Sequence, residues 1–465
     1  MLNRSIRTFI SGFIVACLLM LSFSSMAEEV SRSIDVAFNK INLKVNGSAV
    51  AVDNMLFNGT TYAPVRAVAE MLGKEVLWDS STNSANISDK LKQSELELHM
   101  FYASGAYDQF KAYAGDGTIL NADSVGFAWS RMDFDASSGK VALNISKTNN
   151  NDFYIPQGFE EPLKFFHDSK RTALLNVYAD RQFGEILAKS SEAVSGIIDG
   201  LNKAGADSQG VAFDGVIVDF EGLPGTERDE FSAFLRELKP QLNAINKKLY
   251  VAVIPEKYSS SYDYRAIGEM ADRVILMAHD YDVKSLKSDF AVNGIVYTPL
   301  TPINEIREAM KEITNSSSGI SDPRKVLLQI NMASAQWKVK DGVIMDNDNN
   351  KNDGIVYPNR PTYDLISNRI MMELSSGKAM EDIVFFDENS RNPYISYYNN
   401  SDGTQNYIWY EDSRSVVDKI DLAKEYGIGG ISLWRLGNIP DYSGSNEKGI
   451  YLDVWQQIIE NVKSK

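Results

Sequence analysis

Asp219 and Glu221 close an apolar, β-branched run that reads Asp214-Gly215-Val216-Ile217-Val218-Asp219-Phe220-Glu221. On a strand, residues i and i+2 point to the same side, so the two carboxylates share one face. A parallel strand buried on both sides is a near-continuous apolar run, and 213–220 is close to one. Two acids at its C-terminal end are out of place as core. They stand where a (β/α)₈ barrel keeps its chemistry. One carboxylate beside another disfavours a second negative charge, which keeps one of the pair protonated and able to act as an acid. On these residues alone, a strand end carrying two solvated acids is the alternative.

The elements that must position this pair are visible on both sides of it. Apolar strand candidates fall at 96–103, 124–129, 173–179, 213–221, 249–255, 273–281, 326–332 and 429–436. Most are separated by amphipathic helical segments, such as 191–203, 230–246 and 302–313. Eight strands alternating with helices predict an α/β fold, a (β/α)₈ TIM barrel over 95–465. The seventh-to-eighth connection is far longer than one helix needs. It contains strand-like pieces at 354–357 and 394–398 and predicts an inserted α+β subdomain above the strand ends.

Composition limits what the chain can bind. Of 465 residues 44% are hydrophobic, enough for a large core, and the net charge is −15. Such a field repels nucleic acid and anionic membrane surfaces and is compatible with a neutral ligand such as a sugar. Arg4 and Arg7 precede an apolar run over 9–23, and Ser25-Met26-Ala27 is a small-x-small cleavage site. Residues 1–27 are therefore predicted to be a signal peptide, leaving no stable membrane span after cleavage and an exported protein, extracellular or associated with a bacterial cell wall. The only cysteine, Cys17, lies in that run, so the mature chain has neither disulfides nor thiolate chemistry.

A linker over 28–40 is expected to lead into a small α+β module over 41–90. Val45-Asn46-Gly47 and Phe57-Asn58-Gly59-Thr60 have hairpin-turn chemistry. A helical pattern over 65–72 stops at Gly73, and strands follow at 76–78 and 84–87. With Tyr62-Ala63-Pro64-Val65-Arg66, Met71-Leu72-Gly73 and Val76-Leu77-Trp78, the segment resembles the copper amine oxidase N-terminal-like domain of bacterial exported proteins. It contains no His or Cys, so no copper site is expected. It is either a folded spacer or a module that contacts cell wall or glycan.

The larger part, over 95–460, resembles glycoside hydrolase family 18, the chitinase and endo-N-acetylglucosaminidase family. That family's fourth-strand signature, D-G-x-D-x-D-x-E, is matched by Asp214, Gly215, Asp219 and Glu221. Its sixth-strand M-x-Y-D motif is matched by Met277-Ala278-His279-Asp280, and its eighth-strand tryptophan by Trp434 in Gly430-Ile431-Ser432-Leu433-Trp434. The resemblance implies a retaining mechanism in which the substrate's own N-acetyl oxygen attacks the anomeric carbon. Glu221 would protonate the leaving oxygen and then activate water. Asp219 would hold the acetamide N–H and stabilise the positive oxazolinium ion. Trp434 would form the apolar floor under the distorted sugar. Two positions depart from the pattern. Ile217 stands where the family has a middle Asp, and His279 where it has Tyr. A neutral imidazole N–H at His279 could still donate to the acetamide carbonyl. Asp280 would bind the sugar or tune Glu221, and Met277 belongs to the same sugar-contacting set.

Other positions are more ambiguous. Tyr102 and Trp129 at the first two strand ends could line the cleft, though core packing explains them equally. Trp337 and Trp409 are subsite platforms or buried aromatics. Asp214 and Gly215 read as structural parts of the motif. Residues 346–350, Asp-Asn-Asp-Asn-Asn, faintly resemble a calcium loop but lack its glycine and terminal glutamate, so a solvated hairpin tip is expected and no metal or cofactor. The expected partner is N-acetylglucosamine-containing polysaccharide, either peptidoglycan or chitin-type chains, and the expected activity is its hydrolysis. A lectin or an inert structural wall protein on the same barrel remains the alternative.

Overall fold

The structure, a computed structural model, describes residues 35–45, 48–50, 52–72, 74–79, 84–89, 96–147, 153–207, 210–288, 296–345 and 354–463. The expected signal peptide, Asn46-Gly47, Gly73 and the loop at 346–350 lie outside the described residues. The chain divides into two units, Met1–Lys92 and Gln93–Lys465.

In the first unit, Met55–Phe57 and Thr60–Tyr62 form an antiparallel hairpin. Its two turn residues, Asn58 and Gly59, have φ of 46° and 76°, the left-handed conformation that a two-residue hairpin turn requires. Ala37–Phe38 pairs with Met55–Phe57, so part of the span expected as linker is a strand of this sheet. Leu43–Val45 pairs with Ser48–Val50, and Lys74–Asp79 with Ser84–Asp89, on either side of the helix Val65–Met71.

The second unit is built on a closed barrel of eight parallel strands: β1 Glu97–Ala103, β2 Ser124–Asp135, β3 Thr172–Ala179, β4 Gly215–Phe220, β5 Lys248–Val253, β6 Arg273–Leu276, β7 Val326–Asn331 and β8 Gly430–Trp434. β8 pairs with β1, which closes it. Side chains alternate along each strand. Phe101, Leu174, Ile217, Tyr250, Ala252, Ile275, Met277 and Leu327 fill the lumen. Their sequence neighbours, among them Val216, Val218, Val251 and Leu276, pack outward against the helix ring in a second and much larger apolar cluster. Through the middle of the barrel both strand faces are thus buried, which is why the strands read as apolar runs.

The lower, N-terminal end of the barrel is sealed by polar contacts. Arg273 Nε donates to Glu97 Oε2 at 2.6 Å, and Tyr250 and Ser124 hydroxyls donate to Glu97 Oε1 at 3.1 Å. Asp123, Asp214 and Asp272 each immediately precede an even-numbered strand. They accept the backbone N–H of Leu98, Ala173 and Leu249 at 2.8 Å. Asp214 is therefore a strand-joining acid. At Gly215 a Cβ would lie 2.2 Å from the Lys248 carbonyl oxygen, so the close approach of β4 to β5 requires glycine.

Between β7 and β8 the chain builds a five-stranded antiparallel sheet from Ala335–Lys340, Val343–Met345, Val384–Asp387, Asn392–Asn399 and Thr404–Trp409, with the helix Tyr363–Ser375. Trp337 and Trp409 lie in its apolar interior, each 1% exposed. Neither is a sugar platform. Asp412 caps the following helix, Ser413–Glu425, and Glu411 is buried in an ion pair with Lys419 at 2.9 Å.

Candidate active site

The upper, C-terminal end of the barrel collects side chains of a different kind. On β3, β4 and β7 the aliphatic lumen residues Leu174, Ile217 and Leu327 are followed two positions later by Asn176, Asp219 and Gln329. Asp219 is 3% exposed. Its Oδ2 accepts from Asn176 Nδ2 at 3.0 Å, and its Oδ1 has no partner among the described residues. Glu221 lies just beyond the strand. Its backbone N–H donates to Ala179 O at 2.8 Å, and Gly222, with φ 79°, then turns the chain away. The Tyr262 hydroxyl donates to Phe220 O at 2.6 Å, fixing the backbone between the two acids.

Both carboxyls hold their protons more tightly than usual. For Asp219 burial is the cause, opposed by the Asn176 hydrogen bond and the charge of His279. For Glu221 burial of the carboxyl comes first, followed by the negative charges of Asp219, Asp280 and Asp180. The outer side of Glu221 is open to water, which tempers the share due to burial. The result is a proton held at the open end of the pair, on the residue that a ligand entering from solvent would meet.

After β6 the chain carries Met277, buried in the lumen, and then His279. His279 Nε2 is 2.7 Å from Gln329 Oε1 on β7, and Nδ1 is 3.5 Å from Asp280 Oδ2. Asp280 has φ 62° and accepts from Asn331 Nδ2 at 2.9 Å. Burial pushes the Asp280 carboxyl up, but His279, Lys284 and the Asn331 amide outweigh it and hold it below the usual range. Trp434 ends β8 half-buried, its ring edge-on to Phe101 at 5.2 Å, and contributes to the apolar lumen cluster below the acids. Tyr178 pairs in register with Asp219. Its ring lies between Phe153, stacked at 4.3 Å, and the Arg131 guanidinium at 5.4 Å. Arg131 is ion-paired with Asp133 and Asp180.

Six expected residues thus meet at one barrel mouth: Asp219, Glu221, Met277, His279, Asp280 and Trp434. Two do not. Tyr102 and Trp129 are 2% and 0% exposed and belong to the outer cluster between barrel and helices. Tyr102 stacks on Phe110 at 5.8 Å, and Trp129 packs on Phe127 at 4.5 Å. The inward position of β1 belongs to Phe101, one residue earlier, so Tyr102 faces the other way. Asn176, Gln329, Asn331 and Tyr178 escaped sequence reasoning. Their signal was parity: each is polar at an inward position of an otherwise apolar strand.

Residues 168–438 match the family described as glycosyl hydrolases family 18, and residues 30–104 match the copper amine oxidase N-terminal domain. A cortical fragment-lytic enzyme of Bacillus anthracis is 26% identical over 228 residues, 47% of this chain and 45% of that protein. The chain spans about half the length of the curated relatives it matches. The crystal structure of the Bacillus cereus spore cortex-lytic enzyme SleL superposes with a TM-score of 0.57 at 17% identity, covering 82% of this chain and 77% of that one. A chitinase from Chromobacterium violaceum superposes with a TM-score of 0.56 at 20% identity, covering 80% of this chain and 99% of that one. At these identities the superpositions speak for the fold.

Proposed function

The chain belongs to glycosyl hydrolases family 18, and on that premise we propose that it is a glycosidase that hydrolyses β-linked N-acetylglucosamine-containing polymer with retention. The observation that carries this is the pair at the end of β4. A raised, solvent-facing carboxyl at Glu221 stands beside a buried carboxyl at Asp219 that has one oxygen engaged and the other without a partner. Glu221 donates its proton to the leaving oxygen and later takes one from water. The unpartnered Asp219 oxygen receives the acetamide N–H and stabilises the cation that forms when the acetamide oxygen attacks the anomeric carbon. His279 and Asp280 contact the sugar from β6, and the Trp434 ring lies beneath it.

Peptidoglycan is the favoured polymer, because relatives carry the names cortical fragment-lytic enzyme and sporulation-specific glycosylase. With the signal-like segment at 1–27, the protein acts outside the cytoplasm, and its N-terminal unit serves as a spacer. No helix among the described residues is long and apolar enough to cross a membrane. Purified protein incubated with spore-cortex peptidoglycan and with chitin should release reducing ends from the first. Binding of both polymers with cleavage of neither would turn the assignment to a lectin.

A further inference from the structure

We propose that Asn176 is a positioning residue for this chemistry: its Nδ2–H holds one oxygen of Asp219 so that the other is presented, unpartnered, to the N-acetyl group of a bound sugar. The proposal rests on the role given above to Asp219.

Four observations support it. First, Asn176 is completely buried in the lumen, directly above Leu174. A leucine of the same shape would suit that wall and carry no polar atom of its own. Asn176 instead leaves its own Oδ1 without a partner among the described residues, a burial that is unfavourable unless the amide does something else. Second, a carboxylate can only accept, so the amide nitrogen must face it, and it does so at 3.0 Å.

Third, the backbone is shaped for this contact. The β2–β3 ladder slips between Leu175, opposite Phe127, and Val177, opposite Ser130. Bulges of this kind re-aim side chains beside active sites. The Asn176 carbonyl is satisfied by the Ser130 hydroxyl, which donates to it at 2.7 Å. Fourth, the alternatives at Asp219 are few. Among the described residues, the titratable groups around it are Glu221 just beyond its own strand, Tyr178 on β3, Tyr262 after β5, and His279 and Asp280 after β6. Burial favours the neutral acid, while Asn176 and the charge of His279 favour the carboxylate. Without Asn176, burial is opposed by His279 alone.

Asn176→Leu keeps the shape and removes the donor; Asn176→Ala is the second variant should leucine perturb folding. Ser130→Ala removes only the bond to the backbone and is the control. With ¹³Cγ-labelled aspartate, the Asp219 signal, identified by its loss in Asp219→Asn, gives a titration midpoint without any need for turnover. Asn176→Leu and Asn176→Ala should raise that midpoint by about one pH unit, the size expected for loss of one hydrogen bond to a carboxylate. Ser130→Ala should leave it in place. The low-pH limb of kcat/KM should move up by the same amount, with kcat falling about fivefold at pH 6 and KM changing less. Calorimetry with an N-acetylglucosamine oligosaccharide and its de-N-acetylated form should show the variants losing preference for the acetylated ligand. A lower melting temperature with an unmoved midpoint and an unchanged preference would make Asn176 a structural residue and overturn the proposal. If the parent cuts no polymer, the hydrolase assignment fails by that result alone, and the midpoint and the ligand preference still decide the role of Asn176.

Discussion

Ile217 occupies the space that Gly126 leaves open across the barrel: a Cβ on Gly126 would stand 2.5 Å from Ile217 Cδ1. The contact lies one layer beneath Asp219, in the lumen cluster with Phe101, Leu174 and Tyr250. An aliphatic side chain there gives Asp219 a dry floor, and a dry floor is what raises its proton affinity. The apolar residue inside the β4 motif and the glycine on β2 are thus one feature of the packing.

Gly126→Ala should destabilise the barrel by about 1–3 kcal/mol, the range for overpacking a well-filled core. The same Cβ would also lie 3.1 Å from His99 Nε2 and from Phe101 Cε1, so relief must come from Ile217. Ile217→Val, which removes that Cδ1, should alone cost about 0.5–1.5 kcal/mol. Gly126→Ala with Ile217→Val should cost clearly less than the two single changes added together, a coupling that denaturant melts of the four proteins would measure. Strict additivity would show that the strands adjust elsewhere.

Glu221→Gln retains the shape of the side chain and cannot donate a proton at neutral pH. Hydrolysis should fall by two or more orders of magnitude, as for loss of a general acid, while affinity for an oligosaccharide is retained. Reducing-end assays and calorimetry on the same preparation check this. Turnover equal to the parent's would remove Glu221 from the role of acid.

Asp219→Asn should raise the melting temperature at pH 8. Burial makes Asp219 hold its proton more tightly in the fold than in the unfolded chain. The stability tied to that proton is whole below the ordinary carboxylate value of 3.8 and is lost as pH rises through the raised folded-state value. Asparagine at 219 can still accept the Asn176 N–H and carries no charge to desolvate. An increase of roughly 1–3 °C is expected, closing as the pH falls towards 4. An equal difference at both pH values would assign the gain to packing instead.

Much of this architecture is legible in the chain because strands buried on both faces are spelled as apolar runs, and all eight are. The acids at 219 and 221 stand out because charge is rare there. The same uniformity conceals which face of a strand points inward. At Phe101-Tyr102 and at Phe127-Ala128-Trp129 both faces are apolar or aromatic, so nothing local says that Phe101 enters the lumen and Tyr102 leaves it. The amides were harder to find for another reason. Asn176 carries no charge, and its partner is 43 positions away. His279 and Gln329 meet across 50 positions. These pairings exist only once the barrel closes.

His279 is the residue whose role is most open to a direct test. It is the third member of Met277-Ala278-His279-Asp280, it faces the lumen mouth, and its charge acts on Asp219. Its ring is held from the β7 side by Gln329 at 2.7 Å. His279→Ala should reduce kcat/KM by at least tenfold, since the proposed sugar contact and one support of the Asp219 carboxylate vanish together. It should also lower stability by about 1–3 kcal/mol, because Gln329 is left buried without its partner. His279→Tyr supplies a hydroxyl donor from the same backbone position and should retain most activity. Gln329→Leu separates the two effects: the imidazole remains but is no longer aimed, so activity should fall with His279 intact. Steady-state kinetics on the three variants, with melting temperatures beside them, distinguish aim from presence. Unchanged kinetics in His279→Ala would place the residue outside the chemistry, and full activity in Gln329→Leu would show that the imidazole needs no support from β7.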